Sequence, residues 1–390
     1  MNTTGTNLDT VRRNNLATVL GLVHRGGPAA RSSLTHATGL NRSTVGALVA
    51  ELVELGLVTE REPETSNRVG RPSPVVVADG RVVALAVNPE IDAVTVGVVG
   101  LDGAVHRRVR FPLDHVPGAE EAAAVAAAVI DGLRPDLSAA SRVVGIGVAV
   151  PGLVREGDGV VRLAPHLEWR DEPFASELAA ATGLTVSAAN DANLGANAER
   201  LFGAGRGASD LVYLNGGASG IGAGVIVGGV SLTGVSGYAG ELGHTLVNSN
   251  GVRCHCGAIG CLETEVSQRA LLAAIGLEAA DSEELDRALA AAVAEGDAGV
   301  GAEIERQLGF LAIALRNATN VFNPELVVLG GFLGSLFAVA PERLAALVAE
   351  QAMAASGEHL RIARAELGAN ILMIGAAELA FAPLLAAPAD

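Results

Sequence analysis

The sequence predicts an α/β protein with a small N-terminal helical domain and a larger body built from two related lobes. Apolar residues recur at helical spacing in the N-terminal segment, whereas β-strand and helix patterns alternate from Arg81 onward. Within the body, the order strand-strand-strand-helix-strand occurs twice. A chain of 390 residues is long enough to form two or three such units.

Charge and composition narrow the class of protein. The net charge of −16 argues against a protein that coats nucleic acid, because phosphates repel an acidic surface. Residues 1–72, however, contain eight Arg and six Asp or Glu, so any DNA contact is expected there. The polar start, Met1 to Thr10, and the lack of an apolar run long enough to span a bilayer predict a cytoplasmic protein without membrane contact.

The N-terminal segment has the pattern of a helix-turn-helix. A first helix places Leu16, Val19, Leu20 and Val23 on one face and ends at Gly26. A second helix, Arg31 to Thr38, is expected to turn Leu34 and Ala37 inward and to stop at Gly39. Asn41 or Ser43 can cap a third helix, whose apolar positions are Val45, Leu48, Val49, Leu52 and Leu55. This order of helices is typical of a DNA-binding domain.

Two short strands, Leu57 to Glu60 and Pro74 to Val77, are predicted to form a wing with a basic tip. The first turn of the third helix is expected in the major groove and the wing tip in the minor groove. The predicted DNA contacts are Arg31, Asn41, Arg42, Ser43, Thr44, Ala47, Arg68, Gly70 and Arg71. The alternative is a three-helix bundle used for dimerisation or docking.

The body begins with the first set of strands and helix. Strands are predicted at Val82 to Val87, Ala93 to Val99, Val105 to Phe111 and Val143 to Val150, with a helix from about Gly118 to Leu133. The second set has strands at Leu211 to Asn215, Ile221 to Val227 and Leu326 to Leu329, a third short strand, and helices up to about Phe322. This duplication resembles the actin-like ATPase fold, in which ligands bind between two lobes. The predicted domains are 1–80, 81–195 completed by a C-terminal helix 372–390, and 196–371 with a metal-binding loop 244–263.

Three cysteines lie close together in that loop. Cys254, Cys256 and Cys261 are too crowded for a disulfide framework but can supply three thiolates to one ion. His244 can complete a tetrahedral zinc site, and four protein ligands would make the zinc structural. His255 is an alternative fourth ligand, and free thiols are the alternative to a metal site.

Several motifs together resemble the ROK family, which comprises bacterial sugar kinases and sugar-responsive repressors. They are Gly220-Ile221-Gly222-Ala223-Gly224, Gly240-Glu241-Leu242-Gly243-His244, and the Cys254 to Glu263 segment with its Cys-x-Cys-Gly-x-x-Gly-Cys-x-Glu spacing. The resemblance covers essentially the whole chain and favours His244 over His255 as the fourth zinc ligand.

A sugar site follows from the same resemblance. The family's sugar-binding positions match Asn190, Asp191, Glu241, His244 and Glu263, and Gly152 is expected beside them. Leu163 to Arg170, with Trp169, is expected to contribute contacts that distinguish one sugar from another. The alternatives are a helix cap for Asp191 and surface charge for Glu241 and Glu263.

The phosphate-binding motifs separate two functions. Asp191 matches the kinases' general base, and Gly217 to Gly222 and Gly330 to Gly334 resemble nucleotide loops, although such glycines also mark tight turns. The first phosphate loop, Asp-x-Gly-Gly-Thr in the kinases, is Asn88-Pro89-Glu90-Ile91-Asp92 here. Without the magnesium-side Asp and the two glycines, phosphoryl transfer should be very slow or absent, so no catalytic residue is expected.

The resemblance and the altered loop predict a transcription regulator. We expect a homodimer or homotetramer that binds a palindromic double-stranded operator and releases it when a sugar or sugar phosphate enters the cleft. An active kinase with a DNA-binding arm, control by a protein partner, and an activator in place of a repressor are the alternatives.

Overall fold

The computed structural model describes residues 8–62, 73–138, 142–217 and 220–390. The predicted contacts Arg68, Gly70 and Arg71 at the wing tip lie outside these residues, as do Ala218 and Ser219 of the predicted second phosphate loop.

The N-terminal domain has three helices and a three-stranded sheet. Its elements are α1 (Leu8–Gly26), β1 (Ala29–Ala30), α2 (Arg31–Thr38), α3 (Arg42–Glu54), β2 (Val58–Arg61) and β3 (Val75–Ala78), with the strands in the order β1-β3-β2. The apolar stripe of α1 is buried against Val45, Leu48 and Val49 of α3. The domain therefore has the winged helix-turn-helix arrangement that the sequence predicts.

Local capping sets the boundaries of α2 and α3. Gly39 ends α2 with a φ of 68°, in the left-handed region that favours glycine. Asn41 caps α3, because its side chain accepts a hydrogen bond from the Thr44 amide at 2.8 Å. The prediction that Ala37 faces inward is wrong: Ala37 is exposed, and Leu34 alone of the two is buried.

The first lobe is built on a five-stranded sheet. Its strands are β4 (Val82–Pro89), β5 (Ala93–Gly100), β6 (Val105–Pro112), β7 (Arg142–Val150) and β11 (Val186–Asn190), in the order β11-β7-β4-β5-β6. The helices α4 (Ala119–Ser138) and α5 (Phe174–Thr182) pack beside the sheet, and a second, three-stranded sheet consists of β8 (Leu153–Val154), β9 (Val161–Ala164) and β10 (Trp169–Glu172). Helix α6 (Asp191–Phe202) follows β11.

The second lobe repeats this plan. Its sheet contains β12 (Leu211–Gly217), β13 (Gly220–Val227), β14 (Val230–Ser231), β15 (Leu326–Gly331) and β16 (Arg361–Arg364), in the order β14-β13-β12-β15-β16. Its helices are α7 (Leu262–Glu265), α8 (Gln268–Ala274), α9 (Ser282–Glu295), α10 (Ala298–Phe322), α11 (Phe332–Val339), α12 (Pro341–Gln351) and α13 (Ala354–Gly357).

The two main sheets share one topology. In each, the first three strands are antiparallel neighbours, and the fourth and fifth strands add in parallel beyond the first. The predicted duplication is therefore present and includes a fifth strand that the sequence patterns did not reveal. The α/β, two-lobed actin-like fold is confirmed.

The C-terminal helix α14 (Ile371–Ala386) returns to the first lobe and packs against β4, β7 and α6. The stretch Gly368–Ala386 is long and apolar enough to cross a membrane by length and composition, with a mean hydropathy of 1.7. Asn370 and Glu378 interrupt the stretch, so it is not a continuous apolar run of the kind that the sequence analysis excluded. In this fold α14 buries Met373, Ala376 and Phe381 in the core of the first lobe.

The predicted boundary between residues 80 and 81 falls between β3 and β4, whereas two other predicted bounds differ from the observed elements. The boundary between residues 195 and 196 falls inside α6, and the helix predicted over 372–390 ends at Ala386. One apolar core also joins Leu16 and Val19 of α1 to Leu101 and Phe381 of the first lobe. The winged helix is therefore packed onto the body rather than held only by a linker.

Candidate functional site, a polar cleft between the lobes

A cavity of about 650 Å³, here called the interlobe cleft, lies between the two main sheets. From the first lobe it is lined by the ends of β7 and β11, and from the second lobe by the turn between β12 and β13. Its lining residues include Gly152, His166, Glu168, Arg170, Asn190, Asp191, Asn215, Glu241, His244, His255 and Glu263. Ligands of open α/β sheets bind at the carboxyl ends of strands in this way.

The structure brings all six predicted sugar-site residues to this cleft: Gly152, Asn190, Asp191, Glu241, His244 and Glu263. Sequence reasoning missed Asn215 as a lining residue, and it considered His255 only as a metal ligand. Asn215 lies near the end of β12, directly before the glycine-rich turn, and that position was the available signal.

Asn190 connects the two chain segments that enter the cleft from the first lobe. Its side-chain amide donates to the Gly152 carbonyl at 3.1 Å, while its oxygen accepts from the Asn193 amide at 3.0 Å. Asn190 is thus the N-cap of α6, and the alternative prediction of a cap at Asp191 is wrong. The Asp191 carboxylate accepts from the Ala192 amide at 2.8 Å and from the side-chain amide of Asn190 at 3.3 Å.

The carboxyls in the cleft have raised pKa values. Burial raises the pKa of Asp191 to about 7, and the charge of Glu241 adds to that increase, although the bond from the Ala192 amide opposes it. Desolvation within the cleft also raises the pKa of Glu241, and repulsion from Glu263 contributes. These carboxyls therefore exchange protons more readily near neutral pH than exposed acids do.

The segment Leu163 to Arg170 forms one wall of the cleft, where the sequence places it. Trp169 is 2% exposed, its ring lies 5.0 Å from that of Phe174, and its Nε1 donates to the Pro117 carbonyl at 2.9 Å. The indole therefore anchors the segment, whereas its exposed neighbours Glu168 and Arg170 offer polar atoms to a ligand.

Three cysteines and one histidine converge next to the cleft. The ligand atoms of His244, Cys254, Cys256 and Cys261 all lie within 4.8 Å of one another. The Cys254 sulfur is 3.6 Å from Nδ1 of His244, and the Cys256 and Cys261 sulfurs are 3.6 Å apart. Around tetrahedral zinc, such atoms are separated by about 3.5 to 3.8 Å, given bonds of about 2.3 Å to sulfur and 2.0 Å to nitrogen. The donor set therefore fits a zinc ion.

The backbone of this loop requires glycine at a close approach. Gly260 has a φ of 72°, and a Cβ there would lie 1.6 Å from the Asn248 carbonyl oxygen. Asn248 in turn donates to Glu265, which is buried at the base of the loop. Packing therefore holds this part of the loop in place independently of a bound ion.

Glu263 joins the metal-binding loop to the cleft. Its Oε1 lies 3.0 Å from the Cys254 sulfur, 3.1 Å from Nδ1 of His255 and 3.5 Å from Nδ1 of His244. Its side chain is 8% exposed. A second possible ligand set, His244, Cys254, His255 and Glu263, shares this region. His255 falls in this second set and not in the set that contains all three cysteines, so the geometry favours His244 as their partner.

The turn between β4 and β5 replaces the kinases' first phosphate loop with a network of charged side chains. Glu90 accepts from the Thr95 hydroxyl at 2.6 Å and from Nε of Arg110 at 3.2 Å. Arg110 also donates to Asp92 at 2.7 Å. The turn thus presents two carboxylates bound by one guanidinium, and Pro89 lacks an amide hydrogen for a phosphate.

The other glycine-rich segments have structural roles as well. Gly331 has a φ of 58°, and a Cβ there would lie 1.9 Å from the Gly216 carbonyl oxygen. Glycine is therefore required at this position whether or not a nucleotide binds. Gly217, Gly220 and Gly222 of the predicted second phosphate loop line the interlobe cleft.

The predicted DNA-contacting residues of α3 are accessible. Arg42, Ser43 and Ala47 are exposed in its first turns, and Thr44 is half-buried. Arg31 is bound on its own domain, since two of its nitrogens each lie 2.5 Å from an oxygen of Glu60 in β2. Arg31 therefore supports the wing in this structure, and its contact with DNA stays a prediction.

A winged helix joined to a two-lobed, sugar-kinase-like body with a cysteine-rich loop defines the class of protein. The ROK family model matches residues 86–382, about three quarters of the chain, so this protein belongs to the ROK family. The resemblance stated from the sequence motifs is confirmed.

Known proteins of the family include regulators that match the chain along nearly its full length. The xylose repressor of Caldicellulosiruptor bescii is 30% identical over 92% of this chain and 93% of its own length. A ROK family transcriptional regulator, a homolog of the E. coli MLC protein, superposes with a TM-score of 0.78, 26% identity and coverage of 96% of this chain and 97% of its own.

A kinase of the family matches the chain over a shorter length. The ROK glucokinase of Streptomyces griseus, solved with glucose and AMPPNP, superposes with a TM-score of 0.62 and 25% identity. It covers 76% of this chain and 98% of its own. This kinase therefore matches a smaller share of the chain than the two regulators do.

Proposed function

We propose that this protein is a sugar-responsive repressor that binds an operator through its winged helix and releases it when a sugar occupies the interlobe cleft. The observation that carries the proposal is one chain with both an accessible helix-turn-helix and a polar cleft lined by all six predicted sugar-site residues. The similar xylose repressor and the similar ROK family transcriptional regulator support the same conclusion.

The chemistry of the cleft suits a sugar. Carboxylates and amides at fixed positions accept and donate hydrogen bonds to adjacent hydroxyl groups, and leaving them unpaired on binding the wrong ligand is costly. Asn190 and Asp191 approach from the first lobe, whereas Glu241, His244 and Glu263 approach from the second. A sugar that bonds to both sets favours the closed arrangement of the lobes, and only such a preference can shift the conformational equilibrium.

We infer that His244, Cys254, Cys256 and Cys261 hold a structural zinc ion. The ion would supply a fixed centre from which the loop positions its neighbours. Nδ1 of His244 faces the Cys254 sulfur at 3.6 Å, so Nε2 is the ring nitrogen left for a sugar hydroxyl. Glu263, which lies beside this cluster and 3.1 Å from Nδ1 of His255, would be positioned by the same loop.

Phosphoryl transfer is not part of this proposal. A kinase must hold triphosphate and magnesium, yet Asn88 stands where the kinases have the magnesium-side Asp, and Glu90 stands where they have a glycine. Asp92 adds a second carboxylate to this turn. These carboxylates repel the phosphate groups of a nucleotide, and Pro89 has no amide hydrogen to donate.

We expect a cytoplasmic homodimer or homotetramer, because two winged helices are needed to bind a palindromic operator.

A thermal-shift screen of sugars and sugar phosphates tests the proposal, with the wild type beside Glu241→Ala. An effector should raise the melting temperature of the wild type and weaken its binding to operator DNA in the same concentration range. A ligand that stabilises both proteins equally does not use the proposed cleft. Glu295→Ala, an exposed acid at the end of α9, serves as the matched control.

A sugar kinase with a DNA-binding arm is the second candidate function. Asp191 favours it, because its pKa of about 7 suits a general base near neutral pH. A coupled assay for ADP release over a panel of hexoses decides between the two. A turnover of about one hexose per second, which is a normal rate for an enzyme, would show that the protein is an active kinase and would contradict the proposal.

A further inference from the structure

A second cavity lies at the contact between the winged helix and the body, away from the interlobe cleft. It has a volume of about 880 Å³, is bordered by α1, α6 and α14, and is partly open to solvent. Its lining residues, which do not overlap with those of the interlobe cleft, include Thr18, Arg25, Asn197, Arg200, Arg206, Glu378 and Leu385. We call it the arginine cavity.

The charges on its wall are predominantly positive. Arg25 comes from α1, Arg200 from α6 and Arg206 from the loop after α6. The one carboxylate among the described lining residues, Glu378, is bound to His24, whose Nε2 lies 2.9 Å from its Oε1. Three guanidinium groups therefore face a cavity in a protein whose net charge is −16.

Arg200 lacks partners for part of its guanidinium. Its Nε is buried and makes no hydrogen bond within the described part of the chain, and its Nη2 reaches only Asn197, at 3.4 Å. Burial and the nearby charge of Arg25 lower the pKa of Arg200, so the folded protein bears the cost of two cations held close together. A buried donor without an acceptor, such as this Nε, is destabilising unless a ligand supplies one.

We propose that the arginine cavity binds a small phosphate-bearing metabolite, whose oxygens accept hydrogen bonds from Arg25, Arg200 and Arg206. Planar guanidinium groups bind phosphate in this bidentate manner. The volume admits a compact metabolite and not only an inorganic ion.

The position of the cavity gives such a ligand a regulatory role. It would bridge α1 of the winged helix to α6 of the body, and Asp191 at the start of α6 lines the interlobe cleft. A bound anion would therefore fix the winged helix relative to the helix that contacts the sugar. The phosphate would act as a second effector, with an affinity coupled to sugar and operator binding.

Binding to the full-length protein tests the proposal with sodium phosphate, glucose 6-phosphate and glucose as probes at constant ionic strength. Phosphate or glucose 6-phosphate should raise the melting temperature of the wild type. Calorimetry should show that Arg200→Gln and Arg206→Gln each bind these phosphates at least roughly tenfold more weakly than the wild type does. Arg287→Gln, an exposed arginine on α9, is the matched control and should bind as the wild type does. Arg206 is exposed, so Arg206→Gln decides the question if Arg200→Gln does not fold.

The probes also distinguish the source of the phosphate and the site. Equal affinity for both phosphates would identify free phosphate as sufficient, whereas tighter glucose 6-phosphate binding would identify a sugar phosphate. Glu241→Ala should retain this binding, because Glu241 belongs to the other cavity. The proposal is overturned if neither phosphate binds the wild type, if both arginine variants bind normally, or if Glu241→Ala alone abolishes binding.

Discussion

Nε2 of His24 lies 2.9 Å from Oε1 of Glu378, and this pair joins the first helix of the winged helix to the C-terminal helix of the body. Nδ1 of the same ring lies 2.6 Å from the Leu101 carbonyl oxygen. Both partners are hydrogen-bond acceptors, so the ring satisfies them best when both of its nitrogens are protonated. Although burial lowers the pKa of His24, the bond to Glu378 and its charge outweigh burial, and the net pKa is raised.

The raised pKa of His24 makes the winged helix contact dependent on pH. The folded protein holds the His24 proton more tightly than the unfolded chain does. The contribution of the His24–Glu378 pair to the free energy of unfolding is therefore complete below about pH 6.5 and is lost as pH rises through the folded-state pKa. Replacing Glu378 by Gln should lower stability by about 1 to 3 kcal/mol at acidic pH and flatten this dependence. Urea denaturation across the pH range measures both effects.

The matched control for this prediction is Glu295→Gln, an exposed acid on α9. It should leave both the stability and its pH dependence unchanged. An unaltered pH profile in Glu378→Gln would contradict the assignment of a protonated His24.

Removal of metal should damage the sugar site without unfolding the winged helix. The wild type should contain about one zinc per chain by elemental analysis, given the four-ligand geometry. Cys261→Ser should lose the ion and bind sugar at least about tenfold more weakly, because His244 and Glu263 lose their common support. Asn250→Ala, an exposed residue of the same loop, is the control. Full sugar affinity in a zinc-free wild type would disprove the structural role.

Sequence patterns located most elements because their signals are local. The strand predicted from Val143 to Val150 is observed at Arg142–Val150, and Asn41 caps α3 through a contact three residues away. The interlobe cleft was predictable because its residues lie in specific family motifs. Pairings between distant residues have no such signal: His24 and Glu378 are separated by 354 positions, and the arginine cavity forms only where three helices pack together.

The same limit applies to Ala37 and to the last helix. The helical period allowed Ala37 to face inward together with Leu34, but only Leu34 is buried and Ala37 is exposed. The apolar composition of Gly368–Ala386 is explained by its burial against a sheet whose strands end hundreds of residues earlier in the chain. The contact between α14 and this sheet can be predicted only when the positions of the strands in the sheet are already known.

We expect Asp191 to lower the folding stability of the protein near neutral pH and to strengthen sugar binding. Its folded-state pKa of about 7 exceeds the ordinary 3.8, so the folded protein loses stability as pH rises between these values. Asp191→Asn removes that cost and should stabilise the protein by at least about 1 kcal/mol above pH 7. The same variant should bind sugar more weakly, since the amide replaces a carboxylate acceptor. Thermal denaturation and sugar titration at pH 8 test both halves, and reduced stability would contradict the first.

Arg42 is the side chain we expect to contribute most to operator specificity. It is exposed in the first turn of α3, next to the Asn41 cap that fixes the start of the helix. A bidentate contact to guanine contributes about 1 to 3 kcal/mol, so Arg42→Ala should bind a selected operator roughly tenfold more weakly or worse. Binding to unrelated duplex should change much less, because phosphate contacts do not depend on sequence. Operators selected from a random duplex pool, followed by titration at fixed salt with Arg287→Ala as control, measure the difference. An equal loss on operator and unrelated DNA would place Arg42 on the phosphate backbone instead.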